Sequence, residues 1–353
     1  MADSSAPSGW IILDKPPGLG STQAVGAVKR NLREAGYARV KVGHGGTLDP
    51  LAQGVLPIAL GEATKLCGRL LDASKVYEFT IQFGSETDTL DTEGRVVGQT
   101  EHRPPRAAIA AILPHFEGEI EQVPPAYSAL KVAGRRAFDR ARSGEAVELQ
   151  PRRVVIHSLA FLPTGRETGA GAAGTAENAP PASAAPDQDA GLFSTFATTL
   201  GRPDPFDPTA PLELVDSITL IAHVSKGTYI RSLARDIARA LGTLGHVTYL
   251  RRTRAGPFGQ GQAISLDKLN TIGQGAALND LLLPLEAGLD DIPALHLDPA
   301  SAQAVRQGRV IAELSQADGL YLAKLDGVPV ALMELAQGAA KVVRGFNLID
   351  VAE

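Results

Sequence analysis

The chain has 353 residues, a formal net charge of −5, 44% hydrophobic and 21% charged residues, which excludes disorder throughout and leaves room for about two domains. Its single cysteine, Cys67, rules out a disulfide scaffold or a cysteine-built zinc site and points to a reducing compartment. Residues 1–8 have neither the basic start nor the apolar core of a signal peptide, and no run nears the ~20 apolar residues of a membrane span, so a soluble, cytoplasmic chain without membrane contact is expected.

In chain order, residues 1–8 read as a disordered tail. Trp10-Ile11-Ile12-Leu13 reads as a strand that breaks at Asp14-Lys15-Pro16-Pro17-Gly18. Ser21 looks like the N-cap of a helix, with Val25, Val28 and Leu32 at helical spacing through about Glu34. A glycine-dense loop follows, Gly43-His44-Gly45-Gly46-Thr47-Leu48-Asp49-Pro50. Residues 55–60 form a compact apolar segment; strands are expected over 75–83, and over 154–162 and 214–224, the last two as neighbours; 107–116 is expected to be helical. The segment 164–211, rich in Ala, Gly, Pro and acids with no period of 2 or 3.6, reads as a disordered, functionally neutral insertion. Ile230, Leu233, Ile237 and Leu241 form the apolar stripe of a helix that also carries Arg231, Arg235 and Arg239. After Asp291-Ile292-Pro293, apolar runs at 319–325, 328–335 and 341–346 suggest a small β-rich unit.

The acidic total hides basic clusters. Between positions 223 and 259 seven cations face one acid, and 29–41 and 131–153 are also basic, whereas 164–217 and 280–353 are acidic. Clusters of this kind can track a polyanion even on an acidic chain, although a solvated helix face is the commoner reason for one. There is no dinucleotide fingerprint, P-loop or His-Glu-x-x-His pattern, and the seven histidines lack metal-ligand spacing, so no cofactor and no metal are expected. Chemistry then falls to ordinary side chains. Pro50 keeps Asp49 out of helical geometry on a glycine-rich loop, either as a plain turn or as a carboxylate presented outward. Ser225-Lys226-Gly227-Thr228-Tyr229-Ile230-Arg231 joins a strand to the arginine helix; there Arg231 is either an exposed cation or the bidentate partner of a carboxylate. Tyr77 and Tyr229 are core residues or platforms for a base.

Taken together, these segments resemble the TruB-type tRNA pseudouridine(55) synthases. The resemblance is carried by Gly43-His44-Gly45-Gly46-Thr47-Leu48-Asp49-Pro50-Leu51-Ala52-Gln53-Gly54-Val55-Leu56, Gly61-Glu62-Ala63-Thr64-Lys65 and Lys75-Val76-Tyr77. It continues in Pro125-Ala126-Tyr127-Ser128-Ala129-Leu130-Lys131, in the 225–231 segment, and in His246-Val247-Thr248-Tyr249-Leu250-Arg251-Arg252. These stretches lie in family order over most of residues 9–260. Arg306-Gln307-Gly308 and Val343-Arg344-Gly345-Phe346-Asn347 resemble the family's small PUA-like domain.

The resemblance implies an α+β pseudouridine synthase fold: a mixed, mainly antiparallel sheet flanked by helices over 9–290, and a PUA-like RNA-binding domain over 291–353. It implies Asp49 as the catalytic aspartate, Arg231 as its ion-pair partner and Tyr77 as the stacking tyrosine. Tyr229 and Leu250 would line the pocket, and His44 would fill the space that the flipped nucleotide leaves. Lys15, Lys226, Arg251 and Arg252 complete the expected substrate-binding set. The implied partner is the T-arm of tRNA, bound by a monomer with no obligatory protein partner. Position 45 is Gly where the family usually has Thr or a similar residue, so loop contacts should differ there.

The reaction is redox-neutral, needs no cofactor, and requires the base to leave its stack. An RNA-folding module with vestigial catalytic residues and a guide-directed synthase of the dyskerin type are the competing readings. The co-occurrence of Asp49, Tyr77 and Arg231 disfavours the first, and the motif spacing and small terminal unit disfavour the second.

Overall fold

The computed structural model describes residues 7–37, 39–128, 130–132, 134–145, 147, 149–163, 212–274 and 277–348. The insertion 164–211 and residues 1–6 of the expected tail lie outside them. Ser8, also assigned to the tail, is instead fixed: its Oγ accepts the Glu62 N–H at 3.1 Å.

Strands β1 (Gly9–Lys15), β2 (Val42–His44), β3 (Gln53–Leu60) and β4 (Lys75–Phe83) build one side of the central sheet. A small ribbon, β5 (Ser85–Thr87) with β6 (Val96–Gln99), leads to β7 (Gly118–Gln122); β8 (Lys131–Val132) and β9 (Arg135–Arg136) form a second ribbon. Strands β10 (Arg152–Phe161), β11 (Ser217–Val224), β12 (Gly245–Ala255) and β13 (Phe258–Gly259) complete the sheet, whose order is β1-β3-β12-β4-β11-β10-β7. Every pairing in it is antiparallel except β12 beside β3, which run parallel through Arg251↔Gln53 and Arg252↔Gly54. The expected mixed, mainly antiparallel sheet flanked by helices is therefore what the chain forms.

Both faces of the sheet are covered, which is why its strands read as continuous apolar runs rather than as alternating ones. In β1, Ile11 and Leu13 join one core with Leu56, Ile58, Phe79 and Val247, while Trp10 and Ile12 face another with Val55, Leu70 and Phe258. The helix Ile230–Ala240 closes the first face through Ile230, Leu233 and Ile237; the helices Ser21–Glu34 and Leu266–Gly273 pack beside it, joined by an Asn31–Asn270 hydrogen bond of 3.0 Å. On the second face the Trp10 indole donates to the Leu285 carbonyl at 3.0 Å and tilts against Phe258.

Residue 54 sits where the parallel pair meets. Its φ is +101°, and any Cβ would collide with the Arg252 carbonyl, so only glycine permits the approach. Strands β10 and β11 form a long hairpin. Its pocket-side end holds Arg152 and Val224, and its other end, at the Phe161↔Leu220 pair, is where the chain leaves for and returns from 164–211.

The C-terminal unit has the order β14 (Ala294–His296), β15 (Gly319–Leu325), β16 (Val328–Ala336) and β17 (Ala339–Gly345), with the helix Pro299–Arg306 on one side. It has its own core around Leu295, Val305, Val330 and Met333. It is also attached to the main sheet, because Leu322, Leu332 and Phe346 belong to the core that contains Trp10.

Candidate active site

Asp49 lies on the loop between β2 and β3, and almost every neighbour of it is tied down. The Arg252 guanidinium, 1% exposed, donates from Nε to the Val55 carbonyl (2.7 Å), from Nη2 to Gly46 (3.1 Å) and from Nη1 to Thr47 (3.4 Å). Ser21 Oγ accepts the Leu48 N–H and donates to the Leu48 carbonyl, both at 2.8 Å. Ser21 is thus not the helix N-cap expected from its position. Gly20 is the cap residue, and Ser21 stands in the first turn as a clamp on the loop. Pro50 offers its carbonyl to the Lys15 amine (3.2 Å) and to the Gly18 N–H (2.8 Å).

This scaffold presents the Asp49 carboxylate, 36% exposed, to Arg231, 5% exposed, with Nη2 and Oδ2 2.8 Å apart. The same guanidinium pairs with Asp91 at 3.2 Å and donates to the carbonyls of Thr89 (2.8 Å) and Tyr127 (2.9 Å). Asp91 is buried and is held in turn by the Thr89 hydroxyl and the Glu93 N–H. One arginine therefore binds the loop of β3, the segment after β5 and the segment after β7 at a single point. Just ahead of it, the Tyr229 backbone is gripped on both sides by the Gln122 amide, at 2.7 and 3.1 Å.

Two cavities meet at Asp49. The smaller, about 310 Å³, has Asp49, Tyr77, Tyr229, Leu250, Arg231 and Arg252 in its walls, with Lys75 and Arg152. The larger, about 940 Å³, lies on the other side of the aspartate and holds His44, Asp91, Glu93, Tyr127 and the arginines 95, 136 and 142. Burial pushes the Lys75 and Lys15 amines down to about 8, in Lys75 with help from the Arg252 charge and in Lys15 against the pull of Asp49. Burial and Arg252 also lower the pKa of His44, while burial, Asp91 and Asp49 raise that of Glu93. Among the described residues no cluster of His, Cys, Asp and Glu could hold a metal ion.

Residues 30–170 match the TruB family pseudouridylate synthase N-terminal domain, and residues 231–290 match the tRNA pseudouridylate synthase B C-terminal domain. The chain is 60% identical, over 98% of its length and 99% of the relative's, to the tRNA pseudouridine synthase B of Novosphingobium aromaticivorans. It is 50% identical, over 96% of both chains, to that of Zymomonas mobilis. The chain belongs to the TruB family. A solved archaeal box H/ACA sRNP Nop10–Cbf5 complex shares the fold, with a TM-score of 0.61 at 23% identity over 97% of this chain and 87% of that one.

Within this TruB-family chain, the structure brings Asp49, Arg231, Tyr77, Tyr229 and Leu250 to one cavity and puts His44 in the adjoining one. Three of the expected substrate cations stand elsewhere. Lys15 is fully buried and spends its amine on the carbonyls of Pro16, Leu19 and Pro50, beneath the loop rather than in either cavity. Arg251 points away from the cavity to Asp14 (2.8 Å) and Gln260 (2.7 Å). Lys226 is exposed and paired with Asp72. Arg252 does line the cavity, but three backbone carbonyls already occupy it.

The basic run 223–259 is likewise consumed internally. Arg235 pairs with Asp236, Arg239 with Glu86, and Arg254 bonds the Gly256 carbonyl, so its charge count overstates the positive surface. Sequence reasoning missed Asp91 and Gln122. Thr89-Leu90-Asp91 reads as a turn, and nothing local marks an amide that grips a backbone 107 residues away.

The glycine at position 45 has a cause. A Cβ there would stand 2.6 Å from Leu70 Cδ1 and 2.8 Å from Leu70 Cβ, so this chain fills with Leu70 the space that a side chain at 45 would take. Gly45→Thr is expected to destabilise the fold by about 1–3 kcal/mol through overpacking. Chemical denaturation would show this as a lower midpoint at unchanged slope, and adding Leu70→Ala should relieve part of the strain beyond additivity.

Proposed function

We propose that this chain converts uridine to pseudouridine in tRNA, and that its target is the T-loop nucleotide at position 55. The observation that carries the reading is the Asp49 carboxylate, locked against Arg231 in the wall of a cavity that also presents Tyr77, Tyr229 and Leu250. At about 310 Å³ the cavity admits one extruded nucleoside and no stacked helix, which fits an enzyme that flips its base. The relatives named tRNA pseudouridine synthase B support the same substrate class.

The reaction breaks the C1′–N1 bond, forms C1′–C5, releases the C5 proton and leaves a proton on N1. As the glycosidic bond opens, the sugar carbon becomes electron-poor, and a fixed carboxylate at that carbon supplies the compensating charge, as carboxylates do in glycosidases. Arg231 fixes the carboxylate's orientation. Tyr77 and Tyr229 offer rings for the base and Leu250 an apolar wall. The β-rich unit at 291–353 would extend RNA contact beyond the loop, and a monomer without an obligatory protein partner, working in the cytoplasm, completes the proposal.

The test is tritium release from a tRNA transcript carrying 5-tritiated uridine, with the purified full chain and no addition. The expected result is about one tritium per tRNA, because a single base is flipped, and none from a transcript with cytidine at the target. Release that is unaffected by the cytidine replacement would move the target elsewhere in the tRNA. Absence of release would overturn the reading.

A further inference from the structure

Four cations line the cavity beside Asp49, and three of them are spent. Arg231 is bound by Asp49, Asp91 and two carbonyls; Lys75 donates to the carbonyls of Leu70, Leu71 and Ala73; Arg252 donates to those of Val55, Gly46 and Thr47. Arg152 differs. No described residue gives its guanidinium a hydrogen bond or an ion pair, and its Nε, like that of Arg231, is buried without a partner. Its guanidinium lies 4.7 Å from the centroid of the Tyr229 ring. Burying an unsatisfied guanidinium nitrogen is costly, and such an atom in a native cavity calls for a ligand.

The position indicates which ligand. Leu250 and Arg252 are buried at the cavity's floor, whereas Arg152 is only partly buried and shares the wall with Gly227 and with Leu71, which is 49% exposed. With one face of its plane covered by Tyr229, the guanidinium keeps its fork edge for a planar or bidentate acceptor. A nucleotide whose base reaches the floor leaves its phosphates at the mouth. We infer that Arg152 is the anchor for a phosphate flanking the flipped nucleotide, a contact that the neighbouring cations cannot supply because they are already engaged. This rests on the reading of the cavity as the target-nucleotide site.

The experiment uses the full chain and a fluorescent T-arm hairpin, with binding measured by anisotropy so that it does not depend on turnover. Arg152→Gln should raise Kd about tenfold and reduce the slope of log Kd against log salt by about one, as the loss of one phosphate contact does. Maximal tritium release at saturating RNA should stay within about threefold, because a phosphate anchor acts mainly on binding. A hairpin in which one flanking phosphate is a neutral methylphosphonate should bind the native protein about tenfold more weakly and bind the Arg152→Gln protein no more weakly than the unmodified hairpin does.

Equal losses in both proteins, or a fall in maximal rate with unchanged Kd and salt slope, would overturn the inference; the second outcome would move Arg152 to the base. Should Arg152→Gln fail to fold, the native protein still decides, since indifference to a methylphosphonate at both flanking positions, each tested in turn, refutes the anchor. Absence of tritium release with the binding results intact would strike the proposed reaction and leave the anchor standing.

Discussion

Asp49→Asn should abolish pseudouridine formation, lowering tritium release by about 10³-fold or more, while tRNA still binds and the chain still folds. The asymmetry follows from how the residue is held. The loop is fixed by Arg252, Ser21 and Lys15 through backbone atoms of Gly46, Thr47, Leu48 and Pro50, none of which changes in the variant. Arg231 would keep Asp91 and the carbonyls of Thr89 and Tyr127. The new amide preserves shape and removes the negative charge needed at the sugar carbon. Single-turnover tritium release measured beside filter binding separates the two quantities, and equal release by native and variant proteins would assign the chemistry to another group.

Arg252→Met should be the most damaging change outside the reacting groups. It leaves the buried carbonyls of Gly46, Thr47 and Val55 without their donor, at a cost of about 2–4 kcal/mol. It also frees the stretch that carries Asp49 and so lowers turnover about 10²-fold even where the protein remains folded. Arg252→Lys should rescue little, because an ammonium is a point donor and cannot reach three carbonyls set along a fork. Thermal unfolding of both variants, with single-turnover rates taken well below the midpoint, tests this; a native-like rate in Arg252→Lys would show that charge alone suffices.

These expectations also show what a one-dimensional reading can reach. The strand at 9–15 was legible as a short apolar run ended by a turn, the strand at 75–83 by its alternation, and the helix at 230–240 by the period of its apolar stripe. The pairing of 152–161 with 217–224 was legible once the segment between them was read as an insertion. Asp49, Tyr77 and Arg231 could be singled out because six stretches lie in family order, and the structure brings the three to one cavity. The partners of the cations left no such trace. Lys15 stood among the expected substrate-binding residues, yet its amine closes three carbonyls under the loop. Arg252 belonged to a basic run, yet it bonds backbone more than 195 residues away. A charge on a sequence carries no mark of which carbonyl will need it, and side-chain bonds to distant backbone have neither period nor spacing. Ser21 shows the same limit: it fits a cap position, and tertiary demand from Leu48 overrides the local preference.

The long hairpin of β10 and β11 has a consequence for how such a chain can change over time. Pairing of β10 with β11 fixes Val224 at the cavity and pairing of β10 with β7 fixes Arg152 there, while the chain leaves and re-enters at the opposite end, near Phe161 and Leu220. Along β10 about 30 Å separate Arg152 from Phe161. Whatever length of chain is spliced in at the far end, the ladder in between conveys none of it to the reacting groups, and closing a loop ten times longer costs only about 2 kcal/mol. The hairpin works as an insulator: it separates a region open to drift, duplication or fusion from one in which displacements of an ångström would be felt.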